Sequence, residues 1–323
     1  MDEFALIAEL LAPLSNGAPN AFGLTDDAAL ISPSPGHHLV VSKDMIVAGV
    51  HCLADDDPGL IARKLLRVNL SDLAAMGATP RAYLLGLALP KEADETWLRS
   101  FAGGLALDQA AFAIHLIGGD TVSTGGPFTA SLTVFGEVRD GEELRRSAAR
   151  PGDLVFVSGC FGDAALGLAV LKGSLKGLDA SDEALLRDRY HLPRPRIGLG
   201  LRLSGLAHGL IDVSDGLVAD LGHLCVASKV AAEIDVPRLP LSSAARAALS
   251  LDSGLLETIL TGGDDYELLF TADPENAKRL ATIGAELDLP IAAIGRITEG
   301  RGVAALDESG VKIELSSTVW RHF

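Results

Sequence analysis

Apolar residues along the chain recur at two spacings, and the switches between them mark out the elements. Phe4, Ile7, Leu11 and Leu14 fall at helical intervals, so residues 2–14 are predicted to be helical. A strand is expected over His38–Val41, ending at Ser42-Lys43-Asp44. Asp57-Pro58 reads as a helix start, a capping carboxylate followed by proline at the first helical position, and Ile61, Leu65, Val68 and Met76 continue the apolar stripe. On that helix Asn69 and Asp72 lie three apart and share a face. Tyr83–Leu89 and Thr129–Phe135 read as buried strands, with a helix over Glu95–Gln109 and a short strand over Ile114–Ile117 between them.

Gly141–Pro151 is polar, charged and rich in turn formers, which makes it the linker; the domain boundary is placed there, giving domains 1–149 and 150–323. Beyond it the pattern predicts strands at Leu154–Ser158, Gly209–Val213, Leu268–Ala272 and Ile291–Ile294. Helices are predicted at Asp163–Leu171, Leu217–Ala227 and Ala277–Ile283, with a polar stretch through Arg187–Pro195. Strand and helix alternate in both halves, so the expected class is two-domain α/β.

The length of 323 residues exceeds the usual single core, in keeping with two domains. Apolar residues make up 48% and aromatics only 5%, so the cores must be built from Ala, Leu, Val and Ile. A net charge of −16 argues against a nucleic-acid backbone or an anionic membrane as partner. Phosphate esters are anions as well, and an acidic cleft admits them only when divalent cations reverse its local sign. Cys52, Cys160 and Cys225 form no Cys-x-x-Cys pair and no disulfide framework, as expected of a reducing cytoplasm, and no apolar run reaches membrane-spanning length.

Five separated segments set an aspartate beside small residues at the end of an apolar run: Asp26-Asp27-Ala28-Ala29, Ser71-Asp72-Leu73, Gly118-Gly119-Asp120, Asp212-Val213-Ser214-Asp215-Gly216 and Gly262-Gly263-Asp264-Asp265. Any one of these serves more often as a helix cap or turn than as a ligand. Their recurrence where the chain leaves a strand shifts the balance toward a multi-metal site for a phosphorylated substrate, because clustered carboxylates repel unless a hard cation such as Mg²⁺ neutralises them.

A P-loop is missing, as are the protein-kinase glycine and catalytic loops and a Ser-His-Asp elbow. Asp212-Val213-Ser214 fails the aspartyl-phosphatase pattern, which needs a carboxylate where Ser214 stands. Gly159-Cys160-Phe161-Gly162 either admits phosphate or simply starts the next helix. His51 reads as structural or functional, Arg145-Arg146-Ser147 as a solvated loop or a phosphate clamp, and Glu267 as a solvent-facing strand residue or a contact.

Taken jointly, three motifs carry a resemblance over nearly the whole chain. They are Lys64-Leu65-Leu66-Arg67-Val68-Asn69-Leu70-Ser71-Asp72-Leu73-Ala74-Ala75-Met76-Gly77-Ala78, then Asp212-Val213-Ser214-Asp215-Gly216-Leu217, then Thr261-Gly262-Gly263-Asp264-Asp265-Tyr266-Glu267-Leu268-Leu269-Phe270. In this order they resemble the thiamine-monophosphate kinases, of the superfamily that includes aminoimidazole ribonucleotide synthetase and selenophosphate synthetase. The resemblance implies an N-terminal mixed sheet with helices that pairs in a homodimer, and a C-terminal α/β domain that completes the active site. It implies ATP-dependent phosphorylation of thiamine monophosphate to thiamine diphosphate by direct in-line transfer. By motif it makes Asp27, Asp44, Asp72, Asp120, Asp212 and Asp215, with Ser42, ligands of several Mg²⁺ ions. Gly119, Asp120, Arg146 and Ser214 become nucleotide contacts, and His51, Glu267 and Trp320 contacts to the thiamine substrate.

The chain departs from the family pattern at Thr25, Lys43, Ala148 and Arg321, where the family usually has glycine, threonine, glycine and an acidic residue. Lys43 matters most, since an ammonium cannot ligate Mg²⁺ as a hydroxyl does. The rival readings are a sister enzyme acting on another small substrate and a Mg-ATP sensor without turnover. Selenophosphate synthetase needs a reactive Cys or selenocysteine in a glycine-rich N-terminal segment and the hydrogenase-maturation member a C-terminal Cys, and neither is present.

Overall fold

The computed structural model describes residues 3–315. By its internal contacts the chain divides into two units, the first formed by Met1–Leu73 with Ala78–Gly141 and the second by Ala74–Gly77 with Glu142–Phe323. By these contacts the polar segment after Gly141 goes with the second unit. Leu144 donates its amide to Met76 O at 3.3 Å, and Leu210 donates to Arg145 O at 3.0 Å.

In the first unit the N-terminal segment is helical over Glu3–Leu6 (α1) and continues through wider and tighter turns to Ser15. A four-stranded sheet has the order β1-β4-β2-β3. Its strands are β1 (His37–Val47), β2 (Thr79–Leu89), β3 (His115–Ser123) and β4 (Thr129–Arg139). β4 is antiparallel to both β1 and β2, whereas β2 and β3 run parallel around α3 (Glu95–Phe112), so the sheet is mixed as expected. Helix α2 (Pro58–Ala75) begins as the sequence implied, with the Asp57 carboxylate accepting the Leu60 amide at 3.1 Å. The two helices approach closely at paired glycines, since a Cβ on Gly104 would lie 2.2 Å from Gly59 O. Asp108, fully buried on α3, binds Arg63 and Arg67 of α2 at 2.5–3.0 Å and locks the pair.

β3 is longer than its apolar run suggested, and this overturns one expectation. Gly118-Gly119-Asp120 lies inside the strand rather than past its end. Glycine permits this, because a Cβ on Gly119 would sit 1.9 Å from Leu85 O of β2.

The second unit is built on a six-stranded sheet of order β10-β7-β9-β5-β8-β6. The strands are β5 (Leu154–Ser158), β6 (Ala207–Asp212), β7 (Ala231–Asp235), β8 (Leu268–Ala272), β9 (Ile291–Thr298) and β10 (Gly302–Leu306). Strand-helix alternation here does not produce a parallel sheet: only β7 and β10 pair parallel, and the other neighbours are antiparallel. One core packs Val155, Val157, Ile211 and Leu269 with helices α4 (Asp163–Leu171), α7 (Leu217–Ser228), α8 (Ser243–Leu251) and α9 (Leu255–Thr261). A second core joins Phe156, Leu210 and Phe270 to Leu280 and Ile283 of α10 (Ala277–Glu286), with Phe156 and Phe270 stacked at 5.5 Å. The stretch read as polar, Arg187–Pro195, begins inside a helix that covers Ala180–His191 (α5), and a short helix, α6, covers Ile197–Gly200. No helix among the described residues is long and apolar enough to cross a membrane.

Candidate functional site

In the first unit, alternation along β1 turns Ser42 and Asp44 toward α2. Asn69, fully buried, anchors this contact: its Oδ1 accepts the Asp44 amide at 2.9 Å and its Nδ2 donates to Leu65 O at 2.8 Å. One turn further along the helix, Asp72 Oδ2 accepts a short hydrogen bond from Ser42 Oγ. Ser42, Asp44 and Asp72 are therefore gathered at one place, on the face that Asn69 and Asp72 share.

Asp120 is not brought to that place. Ladder register puts it in a row with Gly86, Ser131 and Met45, on the opposite face of the sheet, where Lys43 bonds Ser131 Oγ. Asp120 and Gly119 are exposed, as is Asp27, and neither Asp27 nor Asp120 has a side-chain bond among the described residues. His51 is half-buried in the turn after β1. Its Nδ1 accepts the Val47 amide at 3.1 Å, which leaves the proton of the neutral ring on Nε2.

In the second unit, two loops are zipped backbone to backbone. Val213 N donates to Glu267 O at 2.9 Å, Tyr266 N to Val213 O at 2.8 Å, and Asp264 N to Ser214 O at 2.9 Å. Glycine is needed for that approach: a Cβ on Gly263 would meet Ser214 O at 2.2 Å, and one on Gly216 (φ +124°) would meet Thr261 O at 2.6 Å. The result holds Asp212, Ser214 and Asp215 on one short loop at the end of β6.

Asp220, one turn into α7, fixes that loop by accepting the amides of Asp215 (2.9 Å) and Gly216 (3.2 Å) on Oδ2. Burial, with the Asp215 charge beside it, pushes the Asp220 carboxyl up to about 7. Ligand atoms of Asp215, Asp220 and His223 all lie within 4.8 Å of one another. The sequence reading passed over Asp220 and His223, although their three-residue spacing on the helix after Asp215 was a usable signal. Arg146 is exposed; its carbonyl accepts from Ser228 Oγ at 2.7 Å, and its charge opposes the rise at Asp220.

Glu267 is not solvent-facing. It is fully buried, its oxygens taken by Ser158 Oγ (2.7 Å), Arg189 Nη2 (2.8 Å) and the two-pronged Arg196 guanidinium. Gly159 makes room for it, and Gly162 starts α4, so the glycine turn serves packing as well as the helix start. Beside it the buried Asp265 accepts the amides of Gly162 (2.8 Å) and Ala164 (3.4 Å), and burial raises its carboxyl to about 8. Trp320 lies outside the described residues. Carboxylate and hydroxyl oxygens dominate the Ser42/Asp44/Asp72 and Asp212/Ser214/Asp215 groups, a donor set that suits a hard divalent cation.

Comparison with known proteins agrees with this arrangement of elements. Residues 25–138 match the N-terminal domain and residues 150–308 the C-terminal domain of the AIR synthase related proteins. The chain is 43% identical over 323 residues to a thiamine-monophosphate kinase of Caulobacter vibrioides, covering 99% of this chain and 90% of that one. A thiamine-monophosphate kinase structure from Stenotrophomonas maltophilia is similar at a TM-score of 0.86 and 42% identity, covering 97% of this chain and 98% of that one. AaThiL complexed with AMPPCP and TMP is similar at a TM-score of 0.80 and 30% identity, covering 99% and 97%.

Proposed function

The chain belongs to the thiamine-monophosphate kinases of the AIR synthase related family, and from that premise we propose that it transfers the γ-phosphoryl group of ATP to the phosphate of thiamine monophosphate, giving thiamine diphosphate. The observation that carries this reading is the likeness, over 99% of the chain, to a relative solved with both AMPPCP and TMP.

The side chains fit the chemistry. Ser42, Asp44 and Asp72 in the first unit, and Asp212 and Asp215 in the second, would hold Mg²⁺; Asp120, on the other face of the sheet from the first group, and Asp27 would serve as ligands of further ions, and the bound ions would neutralise the phosphates. The chain's own work is orientation. Asn69 pins the backbone at Asp44, Ser42 fixes one oxygen of Asp72, and Asp220 holds the Asp215–Gly216 backbone. Gly119, Asp120, Arg146 and Ser214 are the nucleotide contacts in this reading, and His51, Glu267 and Trp320 are assigned to the thiamine substrate. An acceptor phosphate is ionised near neutral pH, so transfer needs no strong base, and direct in-line attack without a phosphoenzyme follows. Lys43, held against Ser131, supplies fixed positive charge rather than a ligand.

A homodimer joined through the first units accords with the open face of the four-stranded sheet, which exposes Val41, Met45, Leu84 and Val122. A cytoplasmic location is supported by Cys52, Cys160 and Cys225 all being free thiols. The test is incubation with Mg-ATP and either thiamine monophosphate or free thiamine, with products separated by chromatography. Thiamine diphosphate should form from the first and little product from the second; equal turnover of free thiamine overturns the reading.

A further inference from the structure

The open face of the four-stranded sheet carries two opposite charges that the fold leaves uncompensated. Lys43 lies two residues before Met45 on β1 and so shares its face, and its exposed ammonium donates to Ser131 Oγ of β4. No carboxylate meets it. Among the described residues Lys43 makes no ion pair, whereas Arg63, Arg67, Arg81 and Arg99 of the same unit are each held by a carboxylate. Asp120 is exposed on the same face of the sheet.

Ladder register brings the two groups near each other and keeps them apart. Met45, Ser131, Gly86 and Asp120 form one row across β1, β4, β2 and β3. Ser131 and Asp120 therefore flank Gly86 at two strand spacings, about 9.5 Å between backbones. A Cβ on Gly86 would lie 3.9 Å from Ser131 Oγ, so the hydroxyl that holds Lys43 stands beside the glycine. Gly86 has no side chain to fill the space, and a charged group can approach its backbone closely.

We propose that Lys43 binds a phosphate oxygen of the nucleotide directly, in the gap over Gly86 and opposite Asp120. The inference rests on the ATP reading, in which Gly119 and Asp120 are nucleotide contacts, and adds a residue of this chain to them. Sign picks the ligand. An ammonium spent on one hydroxyl keeps two donors and its full charge, and lysine binds phosphate as a point charge. Asp120 repels the same phosphate unless a divalent cation lies between them, whereas Lys43 attracts it unaided. The neighbours Val41 and Met45 are exposed and apolar, so a second copy of the chain laid on this face would cover an unpaired ammonium at a cost, and a bound phosphate supplies the missing anion.

The test is titration calorimetry with AMPPCP and Mg²⁺ on the wild type, Lys43→Met and Lys43→Arg. Absence of AMPPCP binding by the wild type would overturn the ATP reading and this inference with it, whereas an unchanged affinity in Lys43→Met overturns the inference alone. The expected result is a loss on the order of tenfold or more in Lys43→Met, as for a lost charge-assisted bond, with most of it restored in Lys43→Arg. Affinity for adenosine, which has no phosphate, and KM for thiamine monophosphate should stay within about twofold. Lys278→Met, which removes the same charge from an exposed position on α10, should bind AMPPCP as the wild type does. An equal loss for adenosine and AMPPCP, a loss confined to thiamine monophosphate, or an equal loss in Lys278→Met overturns the proposal. So does a loss that accompanies a fall in molecular mass by sedimentation, which would make Lys43 a contact between copies of the chain.

Discussion

Gly159→Ala tests the Glu267 cluster at its tightest point. Gly159 sits at φ +62°, and a Cβ there would lie 2.1 Å from Glu267 Oε1 and 2.6 Å from Oε2. Left-handed backbone costs an alanine roughly 1–2 kcal/mol relative to glycine. The clash cannot be relieved by swinging a flexible end aside, because Ser158, Arg189 and Arg196 all hold that carboxylate. Moving it breaks a buried ion pair, which costs about 3–5 kcal/mol. The sum, about 4–7 kcal/mol, corresponds to a fall in Tm of roughly 10–20 °C for a domain of this size. Scanning calorimetry and urea unfolding measure it, and the same substitution in a Glu267→Ala background isolates the cause. With the carboxylate gone, only the backbone strain of about 1–2 kcal/mol should remain. A loss below about 1 kcal/mol in the wild type, or an undiminished loss in the Glu267→Ala background, refutes the argument that Gly159 exists to cradle Glu267.

Asp72→Asn keeps an oxygen for Ser42 but removes the charge, so kcat should fall at least ~100-fold with Tm nearly unchanged. A coupled assay of ATP consumption showing near wild-type kcat at saturating Mg²⁺ would remove Asp72 from the ligand set. Asp265 releases its proton near pH 4 in the unfolded chain and at about 8 in the folded one, so the folded state holds the extra proton between these values and stability should fall as pH rises across that window. Asp265→Asn should flatten the dependence of Tm on pH between about 5 and 8; an unchanged slope would show that the group ionises normally.

How far the sequence led depended on whether a signal was local. Leu154–Ser158, Asp163–Leu171 and Leu268–Ala272 have the ends expected of them, because continuous apolar runs bounded by glycine or acidic residues leave little choice. Helix α5 was hidden by its charge: Leu186 and Tyr190 are buried, yet Arg187, Asp188, Arg189 and Arg194 dominate the window. Asp120 was read as lying past its strand since glycine normally ends one, and the reason it does not, the close approach of Leu85 O, lies in a different strand. Short strands such as β7 and β10 offer too few positions for alternation to register.

The same distinction between local and distant partners divides the acidic residues. Adjacent aspartates in one motif look equivalent in sequence, and the repulsion argument treats them as one set that metal must neutralise. The fold separates them by what comes to meet them. Asp265 is turned inward to the first amides of α4, and Glu267 receives Arg189 and Arg196 from positions 78 and 71 residues away. Asp220 spends an oxygen on the Asp215 and Gly216 amides, whereas Asp215, on the loop that those bonds hold, stays partly exposed. Asp220 and Asp265, which receive backbone amides, stabilise the loops, and Asp215 is left as the candidate ligand at the loop surface. Counting aspartates therefore overstates the candidate metal site, since Asp220 and Asp265 hold backbone amides instead.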